Sequence, residues 1–308
     1  MKINGSIQTV KRIAAYQRRY RDKTFGVKIG GAVLANAKAL DGVAEQCQVL
    51  SNLGFRLVLI HGGGPQITAW SRRLGVEPVI VNGRRVTDDV ALEAIKMVLA
   101  GRINTDLVSA LRRAGLLPVG LTGMDGGTVL ALRRPPVNIS AEDGNERLVD
   151  FGHVGDIQSV NGALLETLLA AGYMPVIGCL AVDDKGNPLN VNADLFAESV
   201  AVALQAKKLI FLTDQPGILR DPQDPTSLVP FADAGDVLAL DAAGVLTGGM
   251  RLKAEACVRA STGGVKRTHI IDGGLADSLL IELFTGEGCG TMIVNEKEKK
   301  VYQETELV

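Results

Sequence analysis

The chain has 308 residues, among them 36 glycines and only 12 aromatic side chains, with a formal net charge of −1. A hydrophobic content of 46% excludes a disordered chain, the glycines keep no three-residue period, and no apolar run nears the ~18 residues of a membrane span. Balanced charge and scarce rings also set aside a dedicated nucleic-acid binder, which carries a basic excess and stacking aromatics.

The first 21 residues hold six basic side chains (Lys2, Lys11, Arg12, Arg18, Arg19, Arg21) and no acid. Ile7, Val10, Ile13, Ala14, Tyr16 and Tyr20 recur at three-to-four spacing, as on an amphipathic helix. The residues leave three readings open: a basic targeting presequence, a solvated helix, or a helix packed on another subunit. From Phe25 onward, short apolar strands alternate with helical segments. Strands are predicted over 25–29, 56–60, 117–121, 174–177, 208–213, 267–271 and 291–294. Helices are predicted over 36–53, 65–74, 162–171, 193–206, 248–261 and 276–283, with a long helical stretch over 88–114 interrupted near Gly101. Segments 128–132 and 152–160 read as an antiparallel excursion, and the charged end, 296–308, as frayed. This alternation defines an α/β chain: a mostly parallel open sheet between two helical layers.

Ligands of such a sheet sit at the carboxyl ends of its strands. There the sequence places Lys28-Ile29-Gly30-Gly31, His61-Gly62-Gly63-Gly64-Pro65 and Thr213-Asp214-Gln215-Pro216-Gly217. Glycine runs let backbone N–H groups approach an anion, and the helix opening at Pro65 adds its positive end; each run alone is equally a tight turn. Neither GxxxxGK[ST] nor a GxGxxG after the first strand occurs, so a P-loop and a nicotinamide site are both unsupported. Lys28 stands inside an apolar strand, where a charge either snorkels to water or meets an opposite charge. Lys253 can reach back over the helix that opens with Gly248-Gly249. Asn190 and Asp194, in Asn190-Val191-Asn192-Ala193-Asp194, read as helix caps or as ligand contacts. Arg85 is the natural bidentate partner of a carboxylate. His61, His153 and His269 keep no metal-ligand spacing. Four distant cysteines (Cys47, Cys179, Cys257, Cys289) fit a reducing cytoplasm rather than a disulfide framework.

Together the segments Lys28–Gly31, HGGGP at 61–65, NGRRVTD at 82–88, NVNAD at 190–194, LTDQPGIL at 212–219 and TGGMRLK at 247–253 resemble, in order and spacing, the amino acid kinase family. Within it they look like its acetylglutamate kinase branch, and the resemblance runs from about residue 16 to 294. It implies a three-layer αβα sandwich and ATP-dependent phosphorylation of the γ-carboxylate of N-acetyl-L-glutamate, with magnesium accompanying ATP. Residues 25–205 would form the acyl-amino-acid lobe and 206–308 the nucleotide lobe of one continuous sheet. By the same resemblance Lys28 and Lys253 stabilise the transferring phosphoryl, Asp194 holds both lysines, and Gly63, Gly64, Arg85 and Asn190 bind the substrate. Gly30, Gly31, Thr213, Asp214, Gly217 and Gly249 would border ATP. Residues 1–24 look like the helix that interlaces dimers into a hexamer in arginine-inhibited members, and Lys23, His269, Glu282 and Gly288 match positions of their arginine site. Two stretches depart from the family pattern. Met124 stands where a lysine is usual, which bears on substrate preference; Gly274–Ser278 lacks the common arginine and histidine, which bears on arginine inhibition. A kinase acting on another acylated amino acid, such as N-succinylglutamate, is the rival within enzymes. A non-catalytic homologue is the rival outside them.

Overall fold

The structure, a computed structural model, describes residues 2–81, 84–140 and 146–305. The chain opens with α1 (Lys2–Tyr20), β1 (Thr24–Ile29), the short α2 (Gly31–Ala35), α3 (Ala37–Asn52), β2 (Arg56–His61) and α4 (Gly64–Arg73). A small hairpin, β3 (Ile80–Val81) and β4 (Arg84–Arg85), leads into α5 (Asp89–Lys96), a π-helical stretch (Met97–Ile103) and α6 (Asn104–Arg113). Next come β5 (Pro118–Thr122), β6 (Val129–Arg133), β7 (Val137–Ser140), β8 (Glu146–Val149), β9 (Gly155–Val160) and α7 (Ala163–Ala170). The middle of the chain supplies β10 (Met174–Gly178), β11 (Leu180–Val182), β12 (Pro188–Asn190), α8 (Ala193–Ala203) and β13 (Lys208–Thr213). The last part holds β14 (Phe231–Asp233), α9 (Ala234–Ala242), α10 (Gly248–Thr262), β15 (Arg267–Asp272), α11 (Ser278–Phe284), β16 (Thr291–Val294) and α12 (Glu296–Thr305).

Alternating burial explains the layers. In β1, Phe25, Val27 and Ile29 enter one core cluster with Leu57, Leu59, Ile210 and Leu212. The intervening Val58, Ile60, Leu209 and Phe211 enter a second cluster on the opposite face. Strands buried on both faces need helices on both sides. Eight strands accordingly form one sheet in the order β14-β16-β15-β13-β1-β2-β10-β5. Neighbours run parallel except β15 and β16. β1 lies between β2 and β13, so chain crossovers leave it in both directions and a crevice opens at the carboxyl ends. A second sheet, β12-β11-β6-β9, carries the antiparallel excursion, and β7 pairs with β8 in a hairpin that the sequence reading did not resolve.

The helical stretch over 88–114 is interrupted around Gly101 as expected, by a π-helical insertion over Met97–Ile103 rather than a break: both junctions keep helical backbone, with Met97 at φ −60°, ψ −42° and Asn104 at φ −60°, ψ −46°. One expectation is corrected. The charged end is not frayed across 296–305, because α12 docks through specific partners. Glu298, buried, meets Arg267 at 3.0 Å, and Tyr302 stacks on Phe231 with centroids 5.6 Å apart. At the other end, α1 is helical as its periodicity predicts, and its last turns dock on the chain's own core. Tyr20 is buried, and Tyr16 packs against Phe284 and Phe55. Ile7 and Val10, further out, remain exposed.

Candidate active site

Pleating places Lys28 on the face of β1 opposite Phe25, Val27 and Ile29, toward α8. The α8 helix begins there because Asn192 caps it, accepting from the backbone N–H groups of Asp194 and Leu195. The cap role considered for Asn190 and Asp194 therefore belongs to Asn192, which frees the Asp194 carboxylate. Lys28 Nζ lies 2.7 Å from Asp194 Oδ1, and Lys253 Nζ of α10 lies 3.3 Å from Oδ2. All three side chains are at most 15% exposed. Burial alone would raise the Asp194 pKa; the ammonium groups of Lys28 and Lys253 outweigh it and hold the carboxyl below its usual range. The cluster carries one net positive charge.

Lys28 and Asp194 of this cluster line a pocket of about 330 Å³ at the carboxyl ends of β1 and β2, whereas Lys253 reaches Asp194 from outside the lining. The pocket gathers Lys28, Gly31, Gly63, Gly64, Arg85, Asn190 and Asp194 from the expected set. Arg85 is half-buried, and its Nη2 donates to Thr68 Oγ1 at 2.6 Å and to the Gly64 carbonyl at 3.3 Å. Asn190 donates its Nδ2 to Thr87 Oγ1 at 3.2 Å. Asn82 and Gly83 of the same motif as Arg85 lie outside the described residues. The sequence reading passed over Arg84, Arg134 and Cys179, which also line the pocket. Arginines in short loops and at strand ends, like Arg84 on the β3–β4 hairpin and Arg134 just past β6, are usually solvated, so nothing in the pattern marked them. Burial pushes the Cys179 thiol up to about 12, which keeps it neutral and not a nucleophile.

The glycines divide into two kinds. A Cβ on Gly31 would meet Pro65 Cδ at 2.7 Å, and one on Gly63 would meet Ile103 Cδ1 at 2.1 Å. Both are small so that the two glycine loops can pack on protein, whereas Gly64 faces open space. Gln66 ties the loops together by donating Nε2 to the Gly31 carbonyl at 2.6 Å. Gly30 has its N–H committed to the Leu212 carbonyl at 2.8 Å, so that donor is not available to a phosphate. Thr213, Asp214, Gly217 and Gly249, with Gly30, fall outside the pocket lining. Thr213 donates its hydroxyl to Asp214 Oδ1, and Gly217 packs against Thr291. A Cβ on Gly249 would lie 3.8 Å from Lys253 Nζ, so this glycine does border the lysines. Helices α4 and α10 both start without a side-chain cap, which leaves first-turn N–H groups for a ligand.

A second cavity, of about 420 Å³, lies between α1, β15, α11 and α12. It gathers His269, Glu282 and Gly288, as expected, but not Lys23, which is exposed in the turn between α1 and β1. His269 Nδ1 meets Glu282 Oε1 at 2.6 Å. Burial, reinforced by Lys208, lowers His269 to about 4, so the contact is a neutral imidazole N–H donating to a carboxylate. Glu282 Oε2 also accepts from the backbone N–H groups of Cys289 and Gly290. Arg12, Tyr16 and Arg19 supply the wall from α1, and Tyr302 the wall from α12.

An open parallel sheet with glycine loops and a lysine-bridging aspartate at its strand ends defines a phosphate-handling enzyme. The chain belongs to the amino acid kinase family, whose profile matches residues 23–272. It is 43% identical over 279 residues to the acetylglutamate kinase of Moorella thermoacetica, covering 91% of this chain and 94% of that protein. It is 42% identical to the acetylglutamate kinase of Myxococcus xanthus, covering 94% and 95%. Among solved structures, N-acetylglutamate synthase from Neisseria gonorrhoeae complexed with coenzyme A and N-acetyl-glutamate superposes with a TM-score of 0.79 at 32% identity. That match covers 94% of this chain but only 63% of the synthase chain. The same synthase complexed with coenzyme A and L-arginine gives a TM-score of 0.77 at 30% identity, covering 94% and 65%.

Proposed function

We propose that this chain transfers the γ-phosphoryl group of ATP to the γ-carboxylate of N-acetyl-L-glutamate, a step of arginine biosynthesis. The observation that carries the reading is Asp194, held between lysines from β1 and α10 at the floor of a pocket walled by glycine loops. A carboxylate oxygen attacks the terminal phosphorus, the bond to the β,γ-bridging oxygen breaks, and ADP leaves with the electron pair. No proton changes hands, so the site needs no general base. Its work is to align two anions and to offset charge on the equatorial oxygens. Lys28 and Lys253 supply that charge, and Asp194 keeps both ammonium groups in place. Arg85 takes the α-carboxylate, Asn190 the acylamino group, and the backbone of Gly63 and Gly64 the reacting carboxylate. Gly31, the free first turn of α10 with Gly249, and the Thr213–Gly217 segment border the nucleotide.

In this reading residues 25–205 serve the acyl substrate and 206–308 the nucleotide. Magnesium would accompany ATP, held largely by its phosphates and water. The second cavity is the effector site, with Glu282 offering a carboxylate to the guanidinium of arginine. The synthase complex with L-arginine supports this assignment, as does the match of His269, Glu282 and Gly288. The exposed Ile7 and Val10 of α1 support its role in joining dimers into a hexamer. Among the described residues no helix is long and apolar enough to cross a membrane, and we assign the enzyme to the cytoplasm.

Trapping the acyl phosphate as a hydroxamate tests the reaction: product should form from acetylglutamate with ATP and magnesium, and not from free glutamate. A succinylglutamate arm tests the second reading. Arg84 and Arg134 line the pocket beyond Arg85; Arg134 is engaged by Asp156, but the guanidinium of Arg84 would suit an acyl group that itself ends in a carboxylate. Equal rates on the two acyl substrates would shift the assignment to that class. Absence of product from either would remove it.

A further inference from the structure

Beneath the pocket lies a buried polar cluster that the chemistry above does not use. His61, the last residue of β2, is fully buried, and Asn104, the first residue of α6, is 5% exposed. Asn104 Nδ2 lies 3.0 Å from His61 Nε2, 3.0 Å from the Val176 carbonyl of β10 and 3.2 Å from the Leu121 carbonyl of β5. His61 Nδ1 lies 3.2 Å from the Gly62 carbonyl. We propose that His61 and Asn104 are positioning residues that fix the Gly62–Gly64 loop for the acceptor carboxylate, with His61 held as its Nδ1–H tautomer.

Chemistry fixes the protons. The Val176 and Leu121 carbonyls can only accept, so the amide must turn its NH₂ rather than its Oδ1 toward this side, its two hydrogens shared among the two carbonyls and His61. The amide nitrogen cannot accept a hydrogen bond, so His61 Nε2, 3.0 Å from it, must be the lone-pair nitrogen. The Gly62 carbonyl also only accepts, so Nδ1 carries the hydrogen and grips the first peptide of the loop. A doubly protonated ring would aim N–H at N–H. Space is tailored to the same pair: a Cβ on Gly120 would fall 2.1 Å from Asn104 Oδ1, and one on Gly178 would fall 3.3 Å from His61 Cε1. The π-helical stretch Met97–Ile103 ends at Asn104. Such an insertion re-aims the side chains that follow it; here Ile103 Cδ1 presses on Gly63 while Asn104 reaches His61. The loop is therefore gripped at one peptide by His61 and packed at the next by Ile103.

The inference rests on the proposed acceptor role of this loop, and the test separates the two. The chain has three histidines, so ¹⁵N labelling resolves His61 in the full-length protein. The expected spectrum is a neutral Nδ1–H ring that does not titrate between about pH 5.5 and 8. An Nε2–H ring, or one that titrates there, overturns the proposal whether or not the enzyme is active. In kinetics, Asn104→Ala and His61→Gln should raise KM for acetylglutamate at least tenfold while KM for ATP stays within twofold. Asn104→Gln, which keeps the amide, should recover part of the loss. Variants that fold but leave both constants unchanged, or move both equally, would reduce the pair to structural support. A wild-type enzyme without acetylglutamate kinase activity would instead sink the functional reading, and the tautomer would still decide this one.

Discussion

The pocket at the glycine loops and the cavity behind α1 are each built around a buried carboxylate, and they treat it in opposite ways. Asp194 sits between two ammonium groups, so its cluster keeps a surplus positive charge where anions would meet. Glu282 accepts from a neutral imidazole and two backbone N–H groups, and Lys208, which also acts on it, lies behind that imidazole, 3.2 Å from His269 Nε2. The first arrangement suits an anionic transition state. The second holds its carboxylate through a neutral donor in a cavity that also presents Arg12, Arg19, Lys208 and Arg267, which suits a ligand carrying both a cationic group and a carboxylate. The walls differ too. The pocket is bounded by short loops on a fixed sheet, whereas the cavity is closed by the two terminal helices, the parts of a chain that are easiest to displace.

The sharpest way to break this contrast is to remove its surplus charge. Lys28→Ala and Lys253→Ala should each lower kcat by about 10²–10³-fold, the scale seen when one preorganised charge donor is lost, with the fold retained in circular dichroism. Near-normal turnover in either variant would end the role given to that lysine. A smaller effect, read in assembly and regulation, is expected from deleting residues 1–22. That removes Arg12, Tyr16 and Arg19 from the cavity wall together with the exposed Ile7 and Val10. A hexamer should become a dimer on size exclusion, and inhibition by arginine should weaken at least tenfold. An unchanged elution volume would remove the interlacing role of α1; an unchanged inhibition curve would separate the cavity from that helix.

How much of this was legible in the sequence follows from the kind of signal each feature leaves. The parallel sheet was legible because strands buried on both faces are continuous apolar runs; the grouping of Lys28, Asp194 and Lys253 was implied only by the resemblance of their motifs to the amino acid kinase family, since each residue alone reads equally as a snorkelling lysine, a helix cap or a surface side chain. The function of single glycines was not legible. Sequence can mark Gly30, Gly31 and Gly63 as small, but only the packing of Leu212, Pro65 and Ile103 against them tells a protein contact from a ligand contact. The α12 helix was missed because its dominant signal, charge, is the usual mark of a solvated end. What orders it is a buried partner, Arg267, 31 residues earlier in the chain. Asn104 was missed for a related reason. A π insertion shifts side chains out of the 3.6-residue register that periodicity arguments assume.

The two sites share one property that predicts a pH effect and gives the finest test of the contrast. His61 and His269 are both lowered to about 4 by burial, His269 also by Lys208. Unfolded, each would titrate near the ordinary value of about 6.5. Between those values the unfolded chain binds more protons than the folded one, so stability rises with pH and is lost as pH falls from about 6.5 toward 4. Each site contributes at most about 3 kcal/mol across the full window. Glu198 opposes the trend, since burial raises it and the folded chain keeps its proton longer. Asp194 and Glu282, both held low, add to the acid loss only below their own unfolded values near 3.8 and 4.5. The urea midpoint should therefore drop steadily from about pH 7 to pH 5, before those carboxylates protonate. A flat or rising midpoint would show that neither ring is held neutral. If His269→Gln removes about half of the slope, the cavity holds its carboxylate with an uncharged donor; if the slope survives intact, the Glu282 contact is an ion pair and the contrast between the two carboxylates fails.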